Sequence, residues 1–221
     1  MEIKNKKIKK TKSQQSQNTV RLILRQATRL FVEKGYHGTS IDDITRAAGL
    51  TKGALYWHFK SKENLLKRVI EEYENRFLDG LIRAVGEVKG GALDKFEKFI
   101  RYNAAFGYYN RDLCVSFTTL SAELVGTRHR IESEIRRIYG RYQNFLTKVI
   151  AQGKKEKVFK NEINPTLTAL LIMGIHDGML LQWSMNRDKI KGEGLLKAYR
   201  NVIFDGILSS PEKNGLIEKI G

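Results

Sequence analysis

Residues 40–66, SIDDITRAAGLTKGALYWHFKSKENLL, constrain this chain more tightly than any other stretch. Ile41, Ile44 and Ala48 recur at steps of three and four, the spacing of one helical face. Ser40 stands where that helix begins, with Asp43 three residues on, the pattern of a reciprocal capping box. Gly49 stands where it must stop, because glycine enters the left-handed region without steric cost. Thr51 can cap a second helix, which holds about two turns before Lys60 and Ser61. A helix that short buries little. Leu55 and Phe59 read as its root in the core, while Thr51, Lys52, Gly53, Tyr56, Trp57 and His58 are polar, small or amphipathic and are left to be presented. Two short helices joined by a glycine turn predict a helix-turn-helix, whose second helix enters the DNA major groove.

Charge points the same way. The chain has 221 residues and a formal net charge of +16. Residues 1–66 hold 14 Lys+Arg against 5 Asp+Glu, and the other 155 residues hold 26 against 19, so the excess is +9 and +7 respectively. Neutralising phosphates supplies most of the sequence-independent affinity for DNA, and the excess is densest beside the motif. Residues 1–18, with six lysines and a polar low-complexity end, read as a disordered basic arm. It is either a tail that follows phosphates into a neighbouring minor groove or a solvated tail.

The rest of the chain keeps a helical period. A first helix is expected over residues 18–34, ended by Gly35 and Gly38, and a long unbroken helix over 61–85, ended by Lys89-Gly90-Gly91. Further helices are expected over 93–109, 112–124, 128–155, 164–186 and 194–209, with Asn164-Pro165 a clean helix start and Pro211 beyond the last end. The expectation is an all-α chain of about nine helices without a convincing strand: a helix-turn-helix domain over 19–66, then a larger helical domain over 67–221.

Catalytic and metal chemistry find no foothold. His37, His58, His129 and His176 have no Cys, Glu or His partner at metal spacing, and no phosphate loop, nucleophile elbow or HExxH motif occurs. Neither an enzyme nor a cofactor is expected. One cysteine, Cys114, excludes an internal disulfide and suits a reducing cytoplasm, where the protein is expected to reside; it reads as a small buried residue or a regulatory thiol. No apolar run follows the lysine-rich start, so a signal peptide is not expected there. The most apolar run, residues 167–175, is too short to span a bilayer, so no membrane partner is expected.

The ordered string ATRLFVEKG at residues 27–35, Thr39 to Ile44, Ala47-Ala48-Gly49, Lys52-Gly53, Leu55-Tyr56-Trp57-His58-Phe59 and Lys60-Ser61-Lys62-Glu63 closely resembles the tetracycline-repressor (TetR) family of bacterial regulators. The likeness is strong over about sixty residues and elsewhere rests on helical layout. It implies a homodimeric, ligand-responsive transcription regulator, most simply a repressor of a palindromic operator. The family's operator contacts map here onto Ser40, Thr51, Lys52, Gly53, Tyr56, Trp57, His58, Lys60 and Lys62. Lys60 and Lys62 read as phosphate clamps, and Trp57 as a DNA contact or a packing residue. Activation rather than repression is open on these grounds, as is DNA binding without any effector.

One reading helix covers few bases, and two-fold dimers on palindromes solve that. On the helix from Asn164, residues at 100° steps fall on two faces. Leu171, Gly174, Gly178, Gln182 and Met185 form one; with Tyr199 and Gly206 on the last helix they read as a dimer seam, as the family's use of its last two helices implies. The other reading is that these glycines pack inside one subunit. Met173, His176, Asp177, Leu180 and Trp183 form the second face. With Phe106, Tyr109 and Phe117 they read as the wall of a pocket for a small apolar or amphipathic effector, or else as a core in which His176 and Asp177 satisfy each other.

Overall fold

A computed structural model describes residues 12–209; residues 1–11 of the basic arm, and Pro211, lie outside the described part. The chain divides after Val69 into two compact units, three residues beyond the boundary expected from the sequence.

In the first unit, α1 (Lys12–Lys34) packs on α2 (Ile41–Ala48), which packs on α3 (Lys52–His58). α1 begins six residues before the expected start, so residues 12–18, expected as disordered arm, are helical. A turn added to a helix already nucleated by packing at Ile23, Ala27 and Phe31 needs no new nucleus. Thr19 Oγ1 also donates to the Gln15 carbonyl at 3.0 Å. Ile23, Ala27, Phe31, Ile44, Leu55, Leu65 and Leu66 have no exposed surface, and Phe59 has 2%. Fully burying a side chain the size of Leu55 or Phe59 contributes about 1.5–3 kcal/mol, enough to root a seven-residue helix with little stability of its own.

From Lys62 to Gly86 the chain is helical throughout, but not as the uniform α-helix expected. α4 (Lys62–Tyr73) passes into a π-helical turn at Glu74–Leu78 and resumes as α5 (Asp79–Gly86). Two partners hold this wider turn within the second unit. The Glu74 carboxylate, 8% exposed, receives both Arg137 nitrogens at 2.6 Å and also Arg141, which reaches on to Asp79 at 2.8 Å. The Tyr102 hydroxyl donates to the Arg76 carbonyl at 3.0 Å, supplying a bond to a backbone group within the irregular turn. Gly80 makes room for that hydroxyl: a Cβ there would lie 2.1 Å from it.

The second unit continues with α6 (Ala92–Tyr109), α7 (Arg111–Leu124), α8 (Arg130–Lys155), α9 (Pro165–Met185) and α10 (Gly192–Ile207). Counting α4, the π turn and α5 as one rod, the described residues form nine helical rods, as expected, and no strand; an isolated antiparallel bridge joins Phe159 and Leu208. Asn164 caps α9 as predicted, its Oδ1 accepting from Thr166 and Leu167 at 3.0 Å with Pro165 at the first helical position. Phe96 is fully buried, its ring 5.5–5.7 Å from those of Phe99, Phe159 and Phe204, and anchors the end of the core nearest that bridge.

Candidate DNA interface and ligand cavity

α2 and α3 are set by local chemistry. Ser40 Oγ accepts from the Asp43 amide at 3.1 Å and the Asp43 carboxylate accepts from the Ser40 amide at 3.0 Å, closing the expected capping box. The Ser40 hydroxyl and amide, with Lys34 at 3.3 Å, pull the Asp43 carboxyl down to about 2. Gly49 ends α2 at φ +65°. Thr51 caps α3 by accepting from the Ala54 amide at 3.2 Å.

This frame turns Leu55 and Phe59 inward and leaves the opposite face of α3 open. Tyr56 is 49% exposed and Trp57 83% exposed, so the packing alternative for Trp57 is not realised. Thr51, Lys52, Gly53 and Lys60 are exposed and His58 is half-buried. Lys52 Nζ sits 2.8 Å from Asp42, an exposed pair that holds the ammonium beside the helix start and is readily exchanged for phosphate. The Ser40 hydroxyl donates to Asp43 at 2.7 Å, so its proton is already used within the cap.

Lys62 departs from expectation. It does not stand out as a phosphate clamp: its ammonium donates to the carbonyls of Tyr36 and Thr39, both at 2.9 Å, and lies 4.2 Å from the centre of the Tyr36 ring. Two charge-assisted bonds and a cation–π contact make it a strut fastening α4 to the loop before α2.

In the second unit a cavity of about 430 Å³ opens among α6, α7, α8, α9, α10 and the rod. Tyr73 and Phe77, on either side of the start of the π turn, form part of its wall. Of the expected pocket residues, Tyr109, His176, Asp177, Leu180 and Trp183 line it. Met173, Phe106 and Phe117 do not. Met173 is buried with the core, Phe106 packs on Phe77 at 5.3 Å, and Phe117 stacks on Tyr73 at 3.8 Å, behind the wall instead of in it. Asn103, Thr118, Tyr142, Leu195, Leu196 and Tyr199 are among the further lining residues and were not anticipated as such. The sequence signal for Asn103, Thr118 and Tyr142 was polar groups set among aromatic residues on amphipathic helices; Leu195 and Leu196 carried none beyond the helical period.

His176 and Asp177 do not satisfy each other. Asp177 accepts from Tyr139 at 3.0 Å and Thr118 at 3.3 Å, and burial raises its pKa. His176 lies between the Phe99 and Tyr199 rings, at 5.4 and 4.9 Å, and burial holds its pKa down to about 3, so it is neutral near pH 7. Its tautomer follows from its neighbours. Asn103 Nδ2 donates to the Phe99 carbonyl at 2.9 Å, which leaves Oδ1 for Tyr142, and the Tyr142 hydroxyl donates to it at 2.9 Å. With that proton spent, Tyr142 accepts from His176 Nδ1 at 3.2 Å, and Nε2 keeps its lone pair. Cys114 also lines the cavity; it is buried and its thiol is pushed up to about 12, which makes it a poor nucleophile.

Tyr199 is corrected from seam to cavity: it is 6% exposed. The other expected seam positions share an open surface. Leu171 and Met185 are 64% and 70% exposed, Gln182 is exposed, and a Cβ on Gly174, Gly178 or Gly206 would meet nothing within 4 Å. Leu167, Leu170 and Val202 extend this apolar face. Among the described residues no cluster of His, Cys, Asp or Glu is arranged to hold a metal, and no helix is long and apolar enough to cross a membrane.

A rooted helix-turn-helix ahead of a helical unit with an aromatic-lined cavity defines a DNA-binding transcription regulator. The profile of bacterial regulatory proteins of the tetR family matches residues 23–69, and that of the YsiA-like protein C-terminal region matches residues 70–206. The chain belongs to the TetR family, whose members are DNA-binding regulators and not enzymes. The transcriptional repressor DhaR of Mycobacterium sp. (strain GP1) is 25% identical over 191 residues, 86% of this chain and 92% of that protein. The MbdR regulator from Azoarcus sp. CIB superposes with a TM-score of 0.79 at 32% identity, over 86% of this chain and 100% of that one. FadR from Bacillus subtilis, solved in complex with stearoyl-CoA, shares the fold at a TM-score of 0.69 and 23% identity, over 84% and 98%.

Proposed function

We propose that this protein is a homodimeric repressor that reads a palindromic operator with paired α3 helices and is released by a small, largely apolar or amphipathic effector held in the second-unit cavity. The operator face is Thr51, Lys52, Gly53, Tyr56, Trp57, His58 and Lys60, with Ser40 at the cap of α2. The seam is the α9–α10 face of Leu171, Gly174, Gly178, Gln182, Met185 and Gly206. Its site of action is the cytoplasm.

The observation that carries the sensing half is the cavity wall: Tyr73 and Phe77 belong to the same helical rod that begins in the DNA-binding unit at Lys62. An occupant therefore touches that rod directly. It shifts the spacing of the reading helices only by as much as it binds one state better than the other. A 100-fold loss of operator affinity needs about 2.7 kcal/mol of coupling. A filled bundle would have favoured DNA binding without an effector. The stearoyl-CoA complex of the B. subtilis relative supports an effector with an apolar body.

The test is a titration. An operator is recovered by selection from random duplex DNA, and its affinity is measured against a panel of apolar and amphipathic molecules. Loss of affinity that tracks occupancy of the cavity is expected. A protein that binds panel members in the cavity without any change in operator affinity would refute the sensing role.

A further inference from the structure

Three buried side-chain oxygens among the described residues have no protein hydrogen-bond partner: those of Thr147, Ser184 and Tyr199. Only Tyr199 lines the cavity. A phenol that is 94% buried, and whose hydroxyl finds no acceptor, carries a desolvation cost that a ligand oxygen can remove. Beside it stands His176, whose proton is committed to Tyr142 and whose Nε2 is left as an acceptor. Two neighbouring residues of the cavity lining thus carry a donor without an acceptor and an acceptor lone pair.

The charge of the lining narrows the choice. Among the described residues that line the cavity there is no Lys or Arg, while Asp177 and Glu193 are both there. Asp177 already accepts two hydrogen bonds and has no cation beside it among its bonded partners. A second carboxylate brought in by a ligand would be desolvated with no Lys or Arg in the lining to pair with and would add its charge to that of Asp177, which is costly at short range. A neutral oxygen meets neither penalty.

We infer that the part of the effector that enters the cavity is uncharged, an apolar or aromatic body bearing a carbonyl or hydroxyl oxygen that accepts from Tyr199, and that the cavity rejects the corresponding carboxylic acids. This rests on the effector reading above and names its chemical class. A ketone, ester or thioester satisfies Tyr199 alone. An alcohol or phenol satisfies Tyr199 and, through its own proton, His176.

Two pairs of matched probes test it: benzylacetone with hydrocinnamate, and methyl nonyl ketone with decanoate. Each pair exchanges a methyl group for a carboxylate oxygen at nearly constant shape. Calorimetric titration of the full chain near pH 7.5 is expected to show at least one ketone binding about tenfold or more tightly than its acid. Tyr199→Phe removes only the hydroxyl. It is expected to weaken ketone binding roughly five- to tenfold and to raise the melting temperature of the ligand-free protein by about 2–4 °C, because an unpaired buried group is gone. Acids that bind as tightly as their ketones, failure of both ketones to bind, ketone affinity indifferent to Tyr199→Phe, or a lower melting temperature in that variant would each overturn the inference. Operator binding by the wild-type protein is read separately. Its failure would instead sink the regulatory reading, whatever the probes do.

Discussion

The Lys62 ammonium lies 2.9 Å from the Thr39 carbonyl oxygen, across 23 residues of chain, and ties the start of α4 to the residue before the Ser40 cap. With the Tyr36 carbonyl at the same distance, it fixes the loop that aims α2 and, through the Gly49 turn, α3.

Lys62→Met is therefore expected to act on stability and not on phosphate contact. Two carbonyls lose a charged donor, and the first unit should lose about 2–3 kcal/mol. The salt dependence of operator binding should keep its slope, measured where the variant is still folded. Lys60→Ala is the contrasting case: Lys60 is exposed, and its loss should leave stability intact and flatten the slope by about one unit. Equal slopes for Lys60→Ala and wild type would remove Lys60 from the interface.

Tyr56→Ala and Lys52→Ala should each weaken binding to the selected operator by about tenfold or more, with the dimer and the melting temperature nearly unchanged, since both side chains stand largely in solvent. Gel-shift titration beside light scattering separates the two readouts. Wild-type affinity in Tyr56→Ala would mean that α3 docks by another face.

Leu171→Glu and Gly178→Leu place a charge or a bulky side chain on the open α9 face. Each should shift the protein from dimer to monomer in light scattering and reduce operator affinity, while the helical circular dichroism of the separate subunits persists. Dimers as tight as wild type in both variants would move the seam elsewhere.

His176 makes stability depend on pH. Its pKa is held down to about 3 in the folded chain, against 6.5 as the ordinary value. Between those two values the unfolded chain binds a proton that the folded chain does not, so stability falls as pH is lowered from about 6.5 toward 3. His176→Asn keeps a donor for Tyr142 and removes the titration. Urea unfolding at pH 7 and pH 5 should show a smaller loss in the variant than in the wild type. Parallel losses would show that the imidazole titrates freely in the fold.

What could be read from the chain alone was what neighbours in sequence decide. The Ser40–Asp43 box, the Gly49 turn, the Leu55 and Phe59 root and the Asn164 cap all depend on residues three or four apart. The missed features depend on distant partners. Lys62 looked like a surface cation because its acceptors are backbone carbonyls, which carry no residue-type signal. The π turn at Glu74 is held by Arg137 and Arg141, more than 60 residues away. Tyr199 was placed on the wrong side of α10 because a helical wheel gives faces but not which neighbour each face meets. Phe106 and Phe117 are aromatic in the right region, yet a wheel does not separate a cavity wall from the layer behind it.

The most direct test of the central claim is selection of random duplex DNA on the full-length protein, followed by measurement of the mass of the resulting complex. An enriched inverted repeat is expected, its half-site centres one helical turn or a multiple of it apart, about 34 Å each, bound by an even number of chains. Enrichment of a single unrepeated site carried by one chain, or no enrichment at all, would contradict it.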